Sequence, residues 1–200
     1  MNKKIVWIIA ISIILIITIF LIIFYPKVAK KIKIGNTSTS QEIVENILAI
    51  TSYDAEIEVE VTSNKNQNKY KIKQSYTGPN SNYQEVLEPS NIAGVKIIKE
   101  ENKLRIENTN LNLSKIYENY GYISDNILDL SSFIDNYKRN DKSNWEEKDE
   151  IIMTTSENNF EKKLFIDKTT GNPIKMQIKD TNKNTSVYIL YNKVDYKIQN

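Results

Sequence analysis

Few side chains in this chain are equipped for chemistry. The 200 residues contain neither histidine nor cysteine. That removes the usual general base, the imidazole switch near neutral pH, thiolate nucleophiles, disulfides and the common zinc ligands. No G-x-x-x-x-G-K-[ST] or G-x-G-x-x-G phosphate loop occurs, and only five glycines are spread along the chain. Carboxylates, tyrosines and lysines remain. Asp125, Asp129, Asp135, Asp149 and Glu150 could supply the two acids of a glycosidase-type mechanism, one as proton donor and one as base or nucleophile. Acids at such positions are more often solvated, and a solvated surface is the expectation. The row Glu56, Glu58, Glu60 is imaginable as a cation site, but side chains on one face of one strand run too nearly parallel to converge on an ion. The sequence therefore assigns no catalytic, cofactor-binding or metal-binding residue, implies no cofactor, and leaves the ligand- or partner-binding residues unassigned. The reading is a protein that is not an enzyme.

Compartment is the next constraint. Ile5 to Tyr25 carries no charged residue and is rich in isoleucine. As a helix it is long enough to cross the roughly 30 Å hydrocarbon core of a bilayer. A cleaved signal peptide would have a shorter apolar stretch and small residues at its end, whereas here Tyr25-Pro26-Lys27-Val28-Ala29-Lys30 follows. The expectation is an uncleaved single-pass anchor at residues 1–34, a polar linker at 35–40 and one domain at 41–200. Lys27, Lys30, Lys31 and Lys33 outnumber Lys3 and Lys4, so the positive-inside rule argues for a cytoplasmic domain. Against that count, an extracytoplasmic domain at the cell membrane is expected from the resemblance given below. The four lysines are read as headgroup contacts, worth about 1 kcal/mol each.

Beyond the anchor the charge reverses. Six basic residues precede Gly35, which leaves twenty-one Lys and Arg against twenty-five Asp and Glu, an excess of four acids. No basic stripe with interleaved aromatics appears, so nucleic acid is excluded as a partner. The lysine, asparagine and isoleucine bias follows A+T-rich codons. It also weakens the sequon-like triplets at Asn36, Asn112 and Asn184, which are expected by chance in so Asn-rich a chain.

The elements follow from periodicity. Thr39-Ser40-Gln41-Glu42 fits a capping box, and Ile43, Val44, Ile47 and Leu48 recur at helical spacing, predicting a helix that ends near Ser52. Ala55 to Val61 alternates strictly, with Ile57, Val59 and Val61 expected to share a core with Ile43, Ile47 and Leu48. Strands are predicted at Tyr70 to Tyr76, Tyr83 to Leu87, and as a hairpin at Val95 to Lys99 and Leu104 to Glu107. Others are predicted at Ile151 to Thr155, Phe160 to Asp167, Ile174 to Asp180 and Val187 to Tyr191, with Val194 to Ile198 as a last edge strand. Between Asn110 and Tyr137, Leu113, Ile116 and Tyr117 share one helical face, and Leu130, Phe133, Ile134 and Tyr137 share another. The fold class is α+β: eight or nine antiparallel strands in a strongly curved half-barrel sheet wrapped on one or two helices, preceded by the transmembrane helix.

Taken in order, the amphipathic helix, Tyr83-Gln84-Glu85-Val86-Leu87-Glu88-Pro89 and Asp167-Lys168-Thr169-Thr170-Gly171-Asn172-Pro173 resemble the LolA/LolB lipoprotein-carrier fold. With Asn91-Ile92-Ala93-Gly94 and Lys115-Ile116-Tyr117-Glu118-Asn119-Tyr120, the chain is similar to the germination lipoprotein GerS branch of anaerobic spore-formers. The resemblance covers roughly Gln41 to Ile198. It implies an exported, membrane-attached binding protein in spore-envelope, cortex or germination metabolism, with an N-acetylmuramoyl-L-alanine amidase as protein partner. A homodimer is an assembly left open. In carrier members the concave face holds acyl chains, so a lipid or lipoprotein carrier or acceptor is the alternative function. The two readings differ in cavity shape: a concave face plugged by Leu128, Leu130, Phe133 and Ile134, or an open apolar pocket of several hundred Å³. This chain lacks the lipobox cysteine of the branch and has Ile5 to Tyr25 in its place. No functional residue of the family carries over.

Overall fold

The computed structural model describes residues 38–63, 66–79, 81–101, 103–118, 128–157, 159–180 and 186–198. The proposed membrane span at Ile5 to Tyr25 lies outside them. Among the described residues no helix is long and apolar enough to cross a membrane.

Helix α1 (Ser40–Leu48) begins at the expected capping box. The Thr39 amide donates to Glu42 Oε2 at 2.8 Å, and the Glu42 amide donates to Thr39 Oγ1 at 3.2 Å. Two donors that no helical carbonyl can reach are thereby satisfied. Ile43, Val44 and Ile47 are buried. The helix stops at Leu48, four residues before the predicted end, because strand β1 (Ile50–Thr62) already starts at Ile50. A register shift between Ile50 and Ser52 lets Ile50 and Tyr53 both face inward across an odd step. From Tyr53 the alternation is strict. Ala55, Ile57 and Val59 are buried and Glu56 and Glu58 exposed, as the period of two requires.

Eleven strands, rather than the eight or nine expected, form one unclosed, curved antiparallel sheet in two meanders, because Leu113 to Tyr117 and Asn144 to Glu147 also pair as its end strands. The first runs through β1, β2 (Gln67–Gly78), β3 (Ser81–Glu88), β4 (Val95–Glu100), β5 (Lys103–Asn108) and β6 (Leu113–Tyr117). The second runs through β7 (Asn144–Glu147), β8 (Ile151–Glu157), β9 (Phe160–Ile166), β10 (Pro173–Asp180) and β11 (Ser186–Ile198). Helix α2 (Leu130–Arg139) lies between them in sequence. The sheet order is β6-β5-β4-β3-β2-β1-β11-β10-β9-β8-β7, so β1 paired with β11 joins the two meanders.

Two expectations are corrected here. Val194 to Ile198 is not a separate last strand but the end of β11, which pairs here with β1 alone, while β10 pairs with the Ser186 to Leu190 part of the same strand. Leu113, Ile116 and Tyr117 do not share a helical face, because β5 supplies a strand partner for this segment and all three side chains remain exposed.

One core joins both helices to the inner sheet face. Ile43, Ile47, Ile57, Val59, Leu130, Phe133, Ile134, Met153, Leu164, Met176 and Ile189 belong to it, with Leu48 and Val61 packed against its margin. The expected union of α1 with the Ile57, Val59, Val61 face is therefore present. The Asp167 to Pro173 turn closes as its residues dictate: Asp167 Oδ1 accepts from the Thr169 and Thr170 amides at 2.6 and 2.8 Å. Gly171 takes φ +71°, where a side chain would be strained.

Candidate functional site

Along β1 to β4 the inner face changes character from apolar to polar. The register sets Tyr53, Tyr76, Asn82 and Lys99 side by side on four successive strands, and Ala55, Gln74, Gln84 and Ile97 in the next such row. Gln74 and Gln84 are buried where alternation would ordinarily place aliphatic side chains. Burying an amide without partners would cost about 1–3 kcal/mol, so something must meet them.

Asp129 meets them. It is the N-cap residue of α2, yet its side chain makes no capping bond. Its carboxylate instead turns into the sheet and accepts from three amides. Gln74 Nε2 and Gln84 Nε2 reach Oδ1, and Asn82 Nδ2 reaches Oδ2. Asp129 is 1 % exposed. Burial pushes its carboxyl up to about 6, against the opposing pull of the Gln84 and Asn82 hydrogen bonds and of the Lys99 charge. Burial, with the Asp129 charge nearby, also raises the Tyr53 and Tyr191 phenols.

Above this nest a groove of about 460 Å³ opens, lined by Tyr76, Pro79, Asn82, Lys99, Ser131, Ser132, Asp135, Lys138 and Arg139. A second groove, of about 270 Å³, shares Tyr76, Pro79, Ser131, Asp135 and Lys138 with it and continues to Ile50 and Thr51. Tyr76 stacks on Tyr53, their ring centres 5.4 Å apart. Gln74 Oε1, Asn82 Oδ1, Ser132 Oγ and Asn136 Nδ2 are buried atoms without a hydrogen-bond partner. Such groups are rare in folded proteins and mark places where another molecule can supply the missing bond.

A larger groove, of about 540 Å³, lies on the opposite sheet face among Glu58, Glu60, Lys69, Lys71, Glu88, Tyr188 and Leu190. Its charges already answer one another. Lys69 pairs with Glu60 at 3.0 Å and Lys71 with Glu88 at 3.1 Å, while Asn192 donates to Glu58 at 2.9 Å. Size favours this outer groove, but unmet polar atoms favour the inner one, and recognition depends on the latter.

Of the acids singled out from the sequence, the structure brings two to the inner site. Asp135 lines the groove, and Asp129 sits in the amide nest, buried rather than solvated as expected. Asp149 and Glu150 stand beside the β7–β8 turn, Asp149 exposed and Glu150 half-buried. Asp125 lies outside the described residues. Asp129 and Asp135 do not make a glycosidase pair, because the Asp129 carboxylate is held by amides and withdrawn from solvent. Among the described residues no group of three or more acids is placed to hold a metal ion. The Glu56, Glu58, Glu60 row is a strand's outer face, as expected. Sequence reasoning missed Gln74, Asn82, Gln84 and Ser132. The one available signal was a glutamine at an inward position of the Tyr70, Ile72, Gln74, Tyr76 alternation.

No curated protein matches the chain in sequence. Similar solved structures include a LolA superfamily protein from Nitrosomonas europaea, 10 % identical, covering 82 % of this chain and 96 % of its own, TM-score 0.41. A chain in the complex of the CwlD amidase with the GerS lipoprotein from Clostridioides difficile is 23 % identical, with 81 % and 95 % covered and a TM-score of 0.43. An uncharacterised conserved protein from Thermus thermophilus is 11 % identical, with 82 % and 90 % covered and a TM-score of 0.48. The family model described as "Sporulation protein YdcC-like" matches residues 8–200, so the chain belongs to the YdcC-like sporulation protein family.

Proposed function

We propose that this protein is a membrane-anchored, non-catalytic binding protein acting outside the cytoplasmic membrane in spore-envelope or cell-wall metabolism, where it assists a partner amidase. The observation that carries the reading is the plugged concave face. Leu130 and Phe133 are fully buried, Ile134 is 3 % exposed, and Leu128 packs against the same core. An acyl chain would have to displace these side chains, each contributing roughly 1.5–3 kcal/mol by burial. The carrier alternative is disfavoured for that reason. Membership of a sporulation family and the sequence likeness to the germination branch support the setting and the class of partner.

The decisive experiment is recovery of partners of the tagged full chain from sporulating cells. An amidase whose turnover rises on adding this protein supports the proposal. Hydrolysis of glycan strands or stem peptides by this protein alone, abolished by one Asp→Asn change, would overturn it. Stoichiometric lipid in the purified protein would favour the carrier. Topology has its own test: protease added to intact protoplasts removes the domain if it is outside, and spares it if the lysine count governs.

A further inference from the structure

We propose that the groove between α2 and strands β2–β4 is a binding site for a sugar acid, a saccharide unit bearing a carboxylate beside hydroxyl or amide donors. The proposal gives a ligand class to the binding protein inferred above and rests on that reading.

Charge is the first argument. Lys99, Lys138 and Arg139 line the groove against one lining acid, Asp135. Asp129, beneath, keeps its charge and faces Lys99, so the balance is three cations against two acids. An anionic group is therefore favoured, and a carboxylate can take charge-assisted hydrogen bonds from Lys99 and Lys138, whereas the Arg139 guanidinium already donates to the Asp135 carbonyl and Asn136 Oδ1. The unmet atoms are the second argument. Ser132 is 4 % exposed, and its hydroxyl faces no partner although the residue lines the groove. Asn82 Oδ1 is likewise unpartnered and can only accept. The Ser132 hydroxyl can donate to the carboxylate itself, whereas a ligand satisfying Asn82 Oδ1 must carry a hydroxyl or amide donor as well as a negative charge. Asp135 can accept further hydroxyls from such a ligand.

The third argument separates a saccharide from an acidic peptide. Peptides commonly bind by adding a strand to a free sheet edge. Here the strands beneath the groove, β2, β3 and β4, are each paired on both sides. Their backbones offer a peptide no ladder to extend, and only side chains are available. A sugar ring needs no backbone ladder and can lie against the Tyr76 ring between polar neighbours. The adjoining groove beyond Tyr76 shares five lining residues with this one, which gives room for a second unit.

The test is titration calorimetry on the full chain in mild detergent, with N-acetylmuramic acid as the acidic probe, N-acetylglucosamine as its neutral counterpart and a Glu-Glu dipeptide as the acidic non-sugar. The expected result is saturable binding of the acidic sugar, at least roughly tenfold tighter than of either comparison probe. Lys99→Ala with Lys138→Ala should weaken it by roughly tenfold, and Ser132→Ala by about threefold, with thermal melts verifying that each variant is folded. Lys175→Ala, over Phe165 and away from the groove residues, should leave binding unchanged. No saturable binding of the acidic sugar, equal binding of the neutral sugar, tighter binding of the dipeptide, or insensitivity to the two lysines would each overturn the assignment. A missing amidase partner would leave this titration as it is, and a flat titration would leave the partner experiment standing, so the two failures are distinguishable.

Discussion

Strands β8–β10 and strands β4–β6 belong to one continuous ladder, yet their side chains live in different surroundings. In the first group Ile151, Met153, Leu164, Ile166, Met176 and Ile178 are fully or almost fully buried under the helices. In the second only Leu104 is buried, and Leu113, Ile116 and Tyr117 on β6 are 62 %, 54 % and 38 % exposed. Exposed ion pairs such as Arg105–Glu107 at 3.1 Å and Lys103–Glu118 at 3.4 Å decorate this wing, and pairs of that kind contribute only about 0–1 kcal/mol. Backbone pairing therefore shapes the sheet throughout, while side-chain burial stabilises it mainly on one side. The polar nest around Asp129 sits at the border between the two regimes.

The strongest attempt to break this division is Val59→Asp, which sets an unpaired carboxylate in the packed half. Denaturant unfolding should register a loss of about 4 kcal/mol or more, or no folded state. A stable Val59→Asp variant would mean that the inward register of β1 is wrong. Next comes Leu164→Ala, expected to cost about 2–5 kcal/mol through lost contacts and a cavity.

Asp129→Asn tests the border, and its sign is opposite. The folded-state value of about 6 lies above the ordinary 3.8, so the folded chain holds this proton more tightly. Asp129 then subtracts stability fully above about pH 6, and the penalty disappears below 3.8. Asn, which Asn82 can accommodate by turning its unpartnered oxygen towards it, should add up to about 3 kcal/mol at pH 7. It should also flatten the stability profile between pH 4 and 6; an unchanged profile in thermal melts taken across that range would exclude the nest as its origin. The smallest effects belong to the surface. Glu58→Ala and Ile116→Ser should each shift stability by no more than about 0.5 kcal/mol, and amides of β5–β6 should exchange with deuterium sooner than those of β9–β10.

Local chemistry explains which parts were legible in the sequence. The Thr39 capping box and the Ala55 to Val61 alternation are complete within a few residues, and both recur in the structure. The Leu130, Phe133, Ile134, Tyr137 stripe likewise became α2, because its period runs over two turns and its first three residues are buried in the core. Leu113, Ile116 and Tyr117 misled because three apolar residues at helical spacing do not exclude a strand when none of them is buried. The nest was out of reach for another reason. Asp129 finds its partners 45 to 55 residues away, and no local pattern carries that distance. The place of β11 was hidden by the same long range.

That placement has a consequence for how the chain is made. The pairing of Ile50 with Ile198 binds the first strand of the domain to the last. Throughout synthesis, β1 keeps one open edge until the final segment emerges, whatever the rest of the first meander has achieved. Closing so long a loop is slow relative to forming neighbouring hairpins. A product truncated before Ser186 would leave both β1 and β10 with bare, partly apolar edges, the templates from which aggregation starts. The C-terminal strand thus acts as the keystone of assembly, and a chain that lost it would be a substrate for quality-control proteases rather than a shortened version of the same protein.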